Sequence, residues 1–401
     1  MKLQVWLLIG GLLLPTLSYS GTDMIEFRGF GTLSGVYSDS DSLAFRRDMT
    51  QEGKTKELSL LSDSLLGLQT DIQITDALKA TVQLVVKDRV NNSFDESLTW
   101  ASLSYDFNNA WNIRAGRIAS DLTLIGDVGN IAYAYDWVRP PVEFYGRIPF
   151  YHFDGVEVLY RQPLEAGHLS AKVFYGQSGS TFNYKSVISE FDLSPFTGIA
   201  LRYENSDLIL RTAYARTKLE SVKNSRYSAL MRFLAANPQV PGTSETYKRL
   251  NSYDSPIDYY TAGVEYRHKS WKWLSEISYM DSDLNTLLPS ISAYVGVVKR
   301  IDNFAIYGLA AHSQTTRSNV SASPNLPDPI RIPIQAGYDG VDVKQSTASL
   351  GLRWDVAQNV AIKGQWDHSW VSANQDMLWD GETNTSDEQV NILTFSVDFI
   401  F

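Results

Sequence analysis

Residues Asn391–Phe401 read NILTFSVDFIF. Leu393, Phe395, Val397, Phe399 and Phe401 alternate with Thr394, Ser396 and Asp398, so an extended chain here carries its apolar side chains on one face and its polar ones on the other. The period recurs upstream. Leu78, Ala80, Val82, Leu84 and Val86 oppose Lys79, Thr81, Gln83 and Lys87, and Leu350, Leu352 and Trp354 oppose Ser349, Gly351, Arg353 and Asp355. One such strand would suit a soluble sheet. About 16 of them, from Ile25–Ser38 through Glu388–Phe401, leave no other apolar material to pack against. The apolar faces are then left to lipid and the polar faces to an aqueous interior.

The links between these segments alternate in length. Short ones fall at Thr75-Asp76-Ala77, Asn108-Asn109-Ala110, Glu165-Ala166-Gly167, Asn205-Ser206-Asp207, Lys269-Ser270, Asp302-Asn303 and Ala357-Gln358-Asn359, in residues that turn chemistry favours. Long ones are expected at Asp39–Lys56, Ala119–Phe153, Ser178–Pro195, Leu219–Pro256, Thr315–Asp342 and Ser372–Asp387. Strict alternation puts all tight turns at one end and all long loops at the other, which makes the chain an all-β up-and-down antiparallel transmembrane barrel. The competing fold is a soluble propeller or sandwich, but neither a blade repeat nor Greek-key spacing is present. Tyr105, Phe107, Trp111, Trp271, Trp273 and Trp354 recur beside the short turns, where a membrane interface collects amphipathic rings. In Ser225–Asn237, Tyr227, Leu230, Met231 and Leu234 keep helical spacing until Pro238, predicting a helix within one long loop.

Residues 1–20 read as a cleavable export signal: Lys2, an apolar core over Leu7–Leu14, and Ser18-Tyr19-Ser20 before Gly21. A retained signal-anchor is the alternative. The remaining residues, 21–401, read as one barrel domain. With no cysteine, an exported fold has no disulfide framework and is held by hydrogen bonds and packing. The net charge of −10 argues against nucleic acid as a partner.

Ala119–Phe153 is too long and too aromatic for an ordinary connector. Tyr133, Tyr135, Trp137, Phe144, Tyr145, Phe150 and Tyr151 can bury too much surface for disorder, and Pro140-Pro141 forbids a continuous helix or central strand. Acids (Asp121, Asp127, Asp136, Glu143) and guanidiniums (Arg139, Arg147) are interleaved with the rings. The expectation is a loop folded into the barrel and narrowing its channel; the alternative is a loop capping its own rim.

The leader, the strand alternation, the terminal Phe401 and the long third outer link directly after WNIRAGRIAS together resemble the Gram-negative porins. The resemblance is architectural and spans the mature chain, but the PEFGG-like loop tip of the general porins is replaced by VRPPVEFYG. It implies a homotrimer in the outer membrane, contacts with lipid and lipopolysaccharide, and capture of the last strand (Phe399, Phe401) by the assembly machinery. It also implies a third loop whose acids face a basic wall. Arg114 has inward parity and Arg117 ends the same strand. Arg161, Lys172, Arg202 and Arg211 read as lumenal on neighbouring strands, since a charge facing lipid at mid-depth would cost about 2–4 kcal/mol. Tyr133, Tyr135, Trp137, Phe144 and Tyr145 are candidate stacking surfaces for a solute, with packing against the wall as the alternative.

Nothing in the sequence points to catalysis or a cofactor. His152, His168, His268, His312 and His368 form no metal-ligand spacing, and no GxSxG serine stands near His152–Asp154 or Asp367-His368. Three readings therefore stand: a porin for small hydrophilic solutes and ions, a channel selective for a sugar or an aromatic or organic acid, and a barrel hydrolase or adhesin using the outer loops.

Overall fold

Period-2 patterning on every segment demands a sheet with one dry and one wet face, and antiparallel closure removes the edges such a sheet would otherwise expose. The computed structural model describes residues 24–147, 151–184, 187–251, 255–317, 320–381 and 384–401. The expected leader and Phe150 lie outside the described residues.

Sixteen long strands form the wall: β1 (Ile25–Ser38), β2 (Leu65–Gln73), β3 (Leu78–Lys87), β4 (Leu98–Asp106), β5 (Trp111–Ala119), β6 (His152–Leu164), β7 (Gly167–Tyr184), β8 (Val187–Glu204), β9 (Leu208–Lys223), β10 (Pro256–His268), β11 (Trp271–Ser282), β12 (Ser290–Ile301), β13 (Phe304–Thr315), β14 (Val343–Ala357), β15 (Val360–Asp376) and β16 (Glu388–Ile400). Each pairs antiparallel with its neighbours in sequence, and β16 returns to β1 with Phe30 opposite Ile400 and Ser38 opposite Ile392. The two-residue strand Leu58–Ser59 pairs with Tyr37 and Val36 at the rim. No helix among the described residues is long and apolar enough to cross a membrane.

The opening stretch sits where its pattern placed it. Leu393, Phe395 and Val397 are exposed on the outer face, while Thr394, Ser396 and Asp398 are buried inside. The closing seam needs small residues on β1. A Cβ on Gly29 would stand 2.1 Å from the Phe401 ring, and one on Gly31 2.5 Å from Phe399, so these glycines seat the terminal aromatics. At the short-turn end, Tyr105 and Phe107 lie 4.9 Å apart, Trp271 and Trp273 6.0 Å, and Phe304 and Trp354 5.8 Å, forming an exposed aromatic belt.

Three long links differ from expectation. Ser178–Pro195 is not a loop: β7 runs to Tyr184 and β8 starts at Val187, with shifts in register around Leu193. Its Gly- and Ser-rich composition suggests a turn, but Phe182 and Phe191 pack together over an apolar patch, and cross-strand packing outweighs propensity. The first outer loop continues past Lys56 to Ser64, and Leu219–Lys223 belongs to β9. Two shorter outer links, 88–97 and 283–289, complete the set. The expected helix forms as Ser225–Ala236, capped by the Asn224 side chain, which accepts from Arg226 and Tyr227 N–H. Its Leu234 packs with Leu250 and Ile334 of neighbouring outer-loop helices and with Leu326, just ahead of the latter helix.

Candidate functional site

The loop after β5 leaves the wall at Ala119 and turns through a short 3-10 segment, Ala132–Ala134. Pro141 then starts a single helical turn, Val142–Tyr145, where a missing N–H costs nothing. The loop runs within the barrel, touching the wall on several sides.

Asp121 is the first anchor. Lys172 on β7 pairs with one of its carboxylate oxygens, and Arg211 on β9 lies 2.6 Å from the other. Burial alone would raise this carboxyl, but the two cations outweigh it and hold it below the ordinary carboxylate range. Asp136 is the second. It pairs with Lys272 on β11 and, at 2.8 Å, with Arg300 on β12, which again depress its carboxyl against the upward push of burial. Arg139 is the third: it reaches Asp63 of the first loop at 2.5 Å and Asp367 of β15 at 2.7 Å, and donates twice to Thr394 Oγ1 at 2.9 Å.

Glu143 departs from the expected pattern of acid against base. It accepts from Gln345 at 2.5 Å and from Thr347, both on β14, with no ion pair among the described residues, and burial pushes its carboxyl up. Asp127 makes no ion pair among the described residues. It borders the lumenal space, where burial and the nearby Asp121 charge raise it. Arg147 donates to the Leu288 carbonyl at 2.8 Å and forms no ion pair among the described residues; burial lowers it to about 10, against a partly offsetting pull from the nearby Asp342 carboxylate.

The wall bases divide. Arg114 faces inward and lies 2.6 Å from Glu157. Lys172, Arg202 and Arg211, with Asp121 and Asp127, line a cavity of about 280 Å³ on the short-turn side of the loop. Arg202 is also 3.0 Å from Glu204. Arg161 sits at the short-turn rim, half-exposed and 3.8 Å from Asp106, away from the loop. Arg117 is a correction: its neighbour Ile118 is buried inside with Phe153 and Leu122, so Arg117 projects from the other face of β5. There it pairs with Asp154 at 2.8 Å and Asp95 at 3.0 Å, both near the outer rim, which removes it from the lumenal set.

Most of the ring track is packed rather than open. Tyr135, Trp137 and Phe144 are buried in one cluster with Leu274, Tyr294, Tyr307 and Leu309 of β11–β13, with Tyr145 packed against it. Tyr135 stacks on Trp137 at 5.8 Å, and Tyr133 lies under the Arg353 guanidinium at 4.9 Å while its hydroxyl donates to the Gln358 carbonyl. Large rings gain more from packing on the wall than from waiting in water, so Tyr135, Trp137 and Phe144 are spent on the wall, while Tyr133 and Tyr145 keep part of their surface open.

Other anchors leave no local sign of that role in the sequence. Lys363 on β15 is fully buried and donates to the carbonyls of Ala132, Tyr135 and Trp137 at 2.7, 2.7 and 2.8 Å, while Asp398 lies 2.9 Å away. Arg353 on β14 donates to the Tyr133 and Tyr135 carbonyls at 2.9 and 2.8 Å. Their inward parity was readable, but the far side of the barrel gave no sign that the loop reaches it. The first loop folds in as well. Arg46 is buried and donates to the carbonyls of Met377, Leu378, Trp379 and Asn183, tying that loop to the last one.

No family model matches the chain, and no curated protein matches it in sequence. Solved structures do match in fold. The OmpF of Salmonella typhi, solved with daunomycin, aligns over 94% of this chain and 97% of its own at 11% identity and a TM-score of 0.55. An anion-selective porin from Comamonas acidovorans covers 94% and 99% at 13% identity and 0.54. OprB of Pseudomonas putida covers 94% of each chain at 9% identity and 0.50. The chain therefore has the 16-stranded fold of outer-membrane porins.

Proposed function

We propose that this protein is an outer-membrane channel for the passive diffusion of small hydrophilic solutes and ions, narrowed by residues 119–153. The observation that carries this reading is the fastening of that loop across a polar lumen, with open space on both sides of it. The apolar outer face suits lipid, with lipopolysaccharide at the outer rim. The same proposal includes export by a leader over 1–20, a single barrel domain from residue 21, capture of the Phe399–Phe401 end by the assembly machinery, and a homotrimer.

The short-turn chamber sets three bases, Lys172, Arg202 and Arg211, against two acids, Asp121 and Asp127. Charges farther off than roughly 8–10 Å are screened at physiological salt, so this local excess favours anions despite the acidic chain. The test is single-channel recording of the purified, heat-modifiable protein under a salt gradient. Conductance steps in threes with a weak anion-selective reversal potential are expected. Silence at all voltages would overturn the channel reading.

A further inference from the structure

A second cavity, of about 290 Å³, lies on the outer side of the loop, at the low end of the size range of small-molecule sites. Its walls are the outer ends of β7–β11 and the outer loops, and they are mostly apolar: Phe196, Leu193, Ile257, Met280 and Leu284 stand around it. A space of this kind would ordinarily hold no charge. It holds Arg147, only 6% exposed, whose Nη2 donates to the Leu288 carbonyl while Nε and Nη1 have no hydrogen-bond partner among the described residues. The other charged lining residue is also a base, Arg249, which is paired with Glu245 at 2.7 Å. No acid lines the cavity among the described residues, in a chain with ten more acids than bases; Asp342, behind the lining, offsets part of the Arg147 burial without bonding to it.

A buried guanidinium with two idle donors is costly unless an anion reaches it. The surrounding apolar surface selects which anion. Phosphate or chloride would fill the head site and leave the rest of the cavity unused. We propose that this cavity binds a monocarboxylate with an apolar body, its oxygens accepting from Arg147 and its body lying among Leu193, Phe196, Ile257 and Met280. The proposal rests on the channel reading only in treating the cavity as an outer vestibule that solutes enter.

The test is calorimetric titration of the full chain in zwitterionic lipid nanodiscs, with empty discs subtracted. The probes are 4-phenylbutyrate and octanoate, against 4-phenylbutanol and 4-phenylbutylamine. A carboxylate, aromatic or aliphatic, should bind saturably and about tenfold or more tighter than the alcohol, the scale of a charge-assisted hydrogen bond. Arg147→Met should erase that advantage and leave alcohol binding in place, whereas Arg147→Lys should retain part of it. Ala215→Phe, which fills the cavity from its wall, should weaken acid and alcohol alike. Equal affinity for acid and alcohol, acid binding unchanged in Arg147→Met, or binding indifferent to Ala215→Phe would each overturn the site. A conducting protein that ignores the acids removes this site and leaves the channel standing. A silent protein that binds them does the reverse.

Discussion

Replacing Lys363 with methionine keeps the apolar stem and removes the ammonium that joins β15, β16 and the third outer loop. Three loop carbonyls lose their donor, and the fully buried Asp398 keeps only Thr32, whose hydroxyl donates at 2.8 Å. Removing one partner of a buried ion pair costs about 3–5 kcal/mol, because the other charge stays buried without compensation. The orphaned carbonyls add about 1–3 kcal/mol each wherever water cannot reach them. We therefore expect Lys363→Met to lose at least about 3 kcal/mol in urea titration, read by tryptophan fluorescence and by the heat-modifiable band. In bilayers its conductance should become noisier as the loop loses its hold. The double variant Lys363→Met/Asp398→Leu removes both charges and should recover the share due to the unpaired buried carboxylate, about 3–5 kcal/mol, but not that of the loop carbonyls. A single variant within about 1 kcal/mol of the parent, or a double variant no better than the single, would refute a buried pair as the loop's fastening.

Other outcomes follow from the same contacts. Lys172→Met combined with Arg211→Met leaves Asp121 and Asp127 facing the short-turn chamber with Arg202 alone, so the reversal potential should move toward cation preference. An unmoved potential would place the selective region elsewhere. Arg117→Ala should leave ion preference unchanged, since its side chain faces away from the lumen; a shift would contradict its assignment to the outer face. Glu143 has a raised carboxyl, so its ionisation opposes the fold above the unfolded value of about 4.3. Stability should rise as pH falls from neutrality through that raised value and gain nothing further below about 4.3. In Glu143→Gln this gain should vanish, as urea midpoints across the range would show; an identical pH profile in parent and variant would exclude Glu143 as its source.

How much of this was legible differs between wall and loop. The wall is written in alternation: each residue's face follows from its neighbours two positions away, so Thr394, Gln83 and Arg353 could be assigned inward from sequence alone. Arg117 shows where that reading slips. The strand's parity is right for Arg114, but Arg117 at its end stands an odd number of positions away and so takes the other face. The loop is written in contacts between distant segments. Asp121 meeting Lys172 and Arg211 joins an acid already singled out to two lumenal bases, yet nothing local says which base meets which acid. Arg139 meeting Asp63 and Asp367 depends on the first loop also folding inward, which its polar sequence does not announce. The ring-rich run gave the correct sum of apolar surface and the wrong use for it, because a buried and a solute-facing aromatic look alike until the opposite wall is known.

The distribution of the anchors says more than their number. Asp121 fastens the loop to β7 and β9, Asp136 to β11 and β12, Glu143 to β14, and Arg139 to β15 and the first loop. A loop tied on one side could swing away by breaking one set of bonds. This one touches the wall on both sides of the lumen, since Ile118 and Leu122 pack with Phe174 and Phe196 while Trp137 and Phe144 pack with Tyr307 and Leu309. Lifting it whole would expose charges of both signs together with two apolar clusters. Swinging it aside on one hinge would demand nearly the same, because each anchor faces a different part of the wall. The charges that border the open spaces then set their fields: on the short-turn side Lys172, Arg202 and Arg211 outnumber Asp121 and Asp127, and on the outer side stand Arg147 and Arg249.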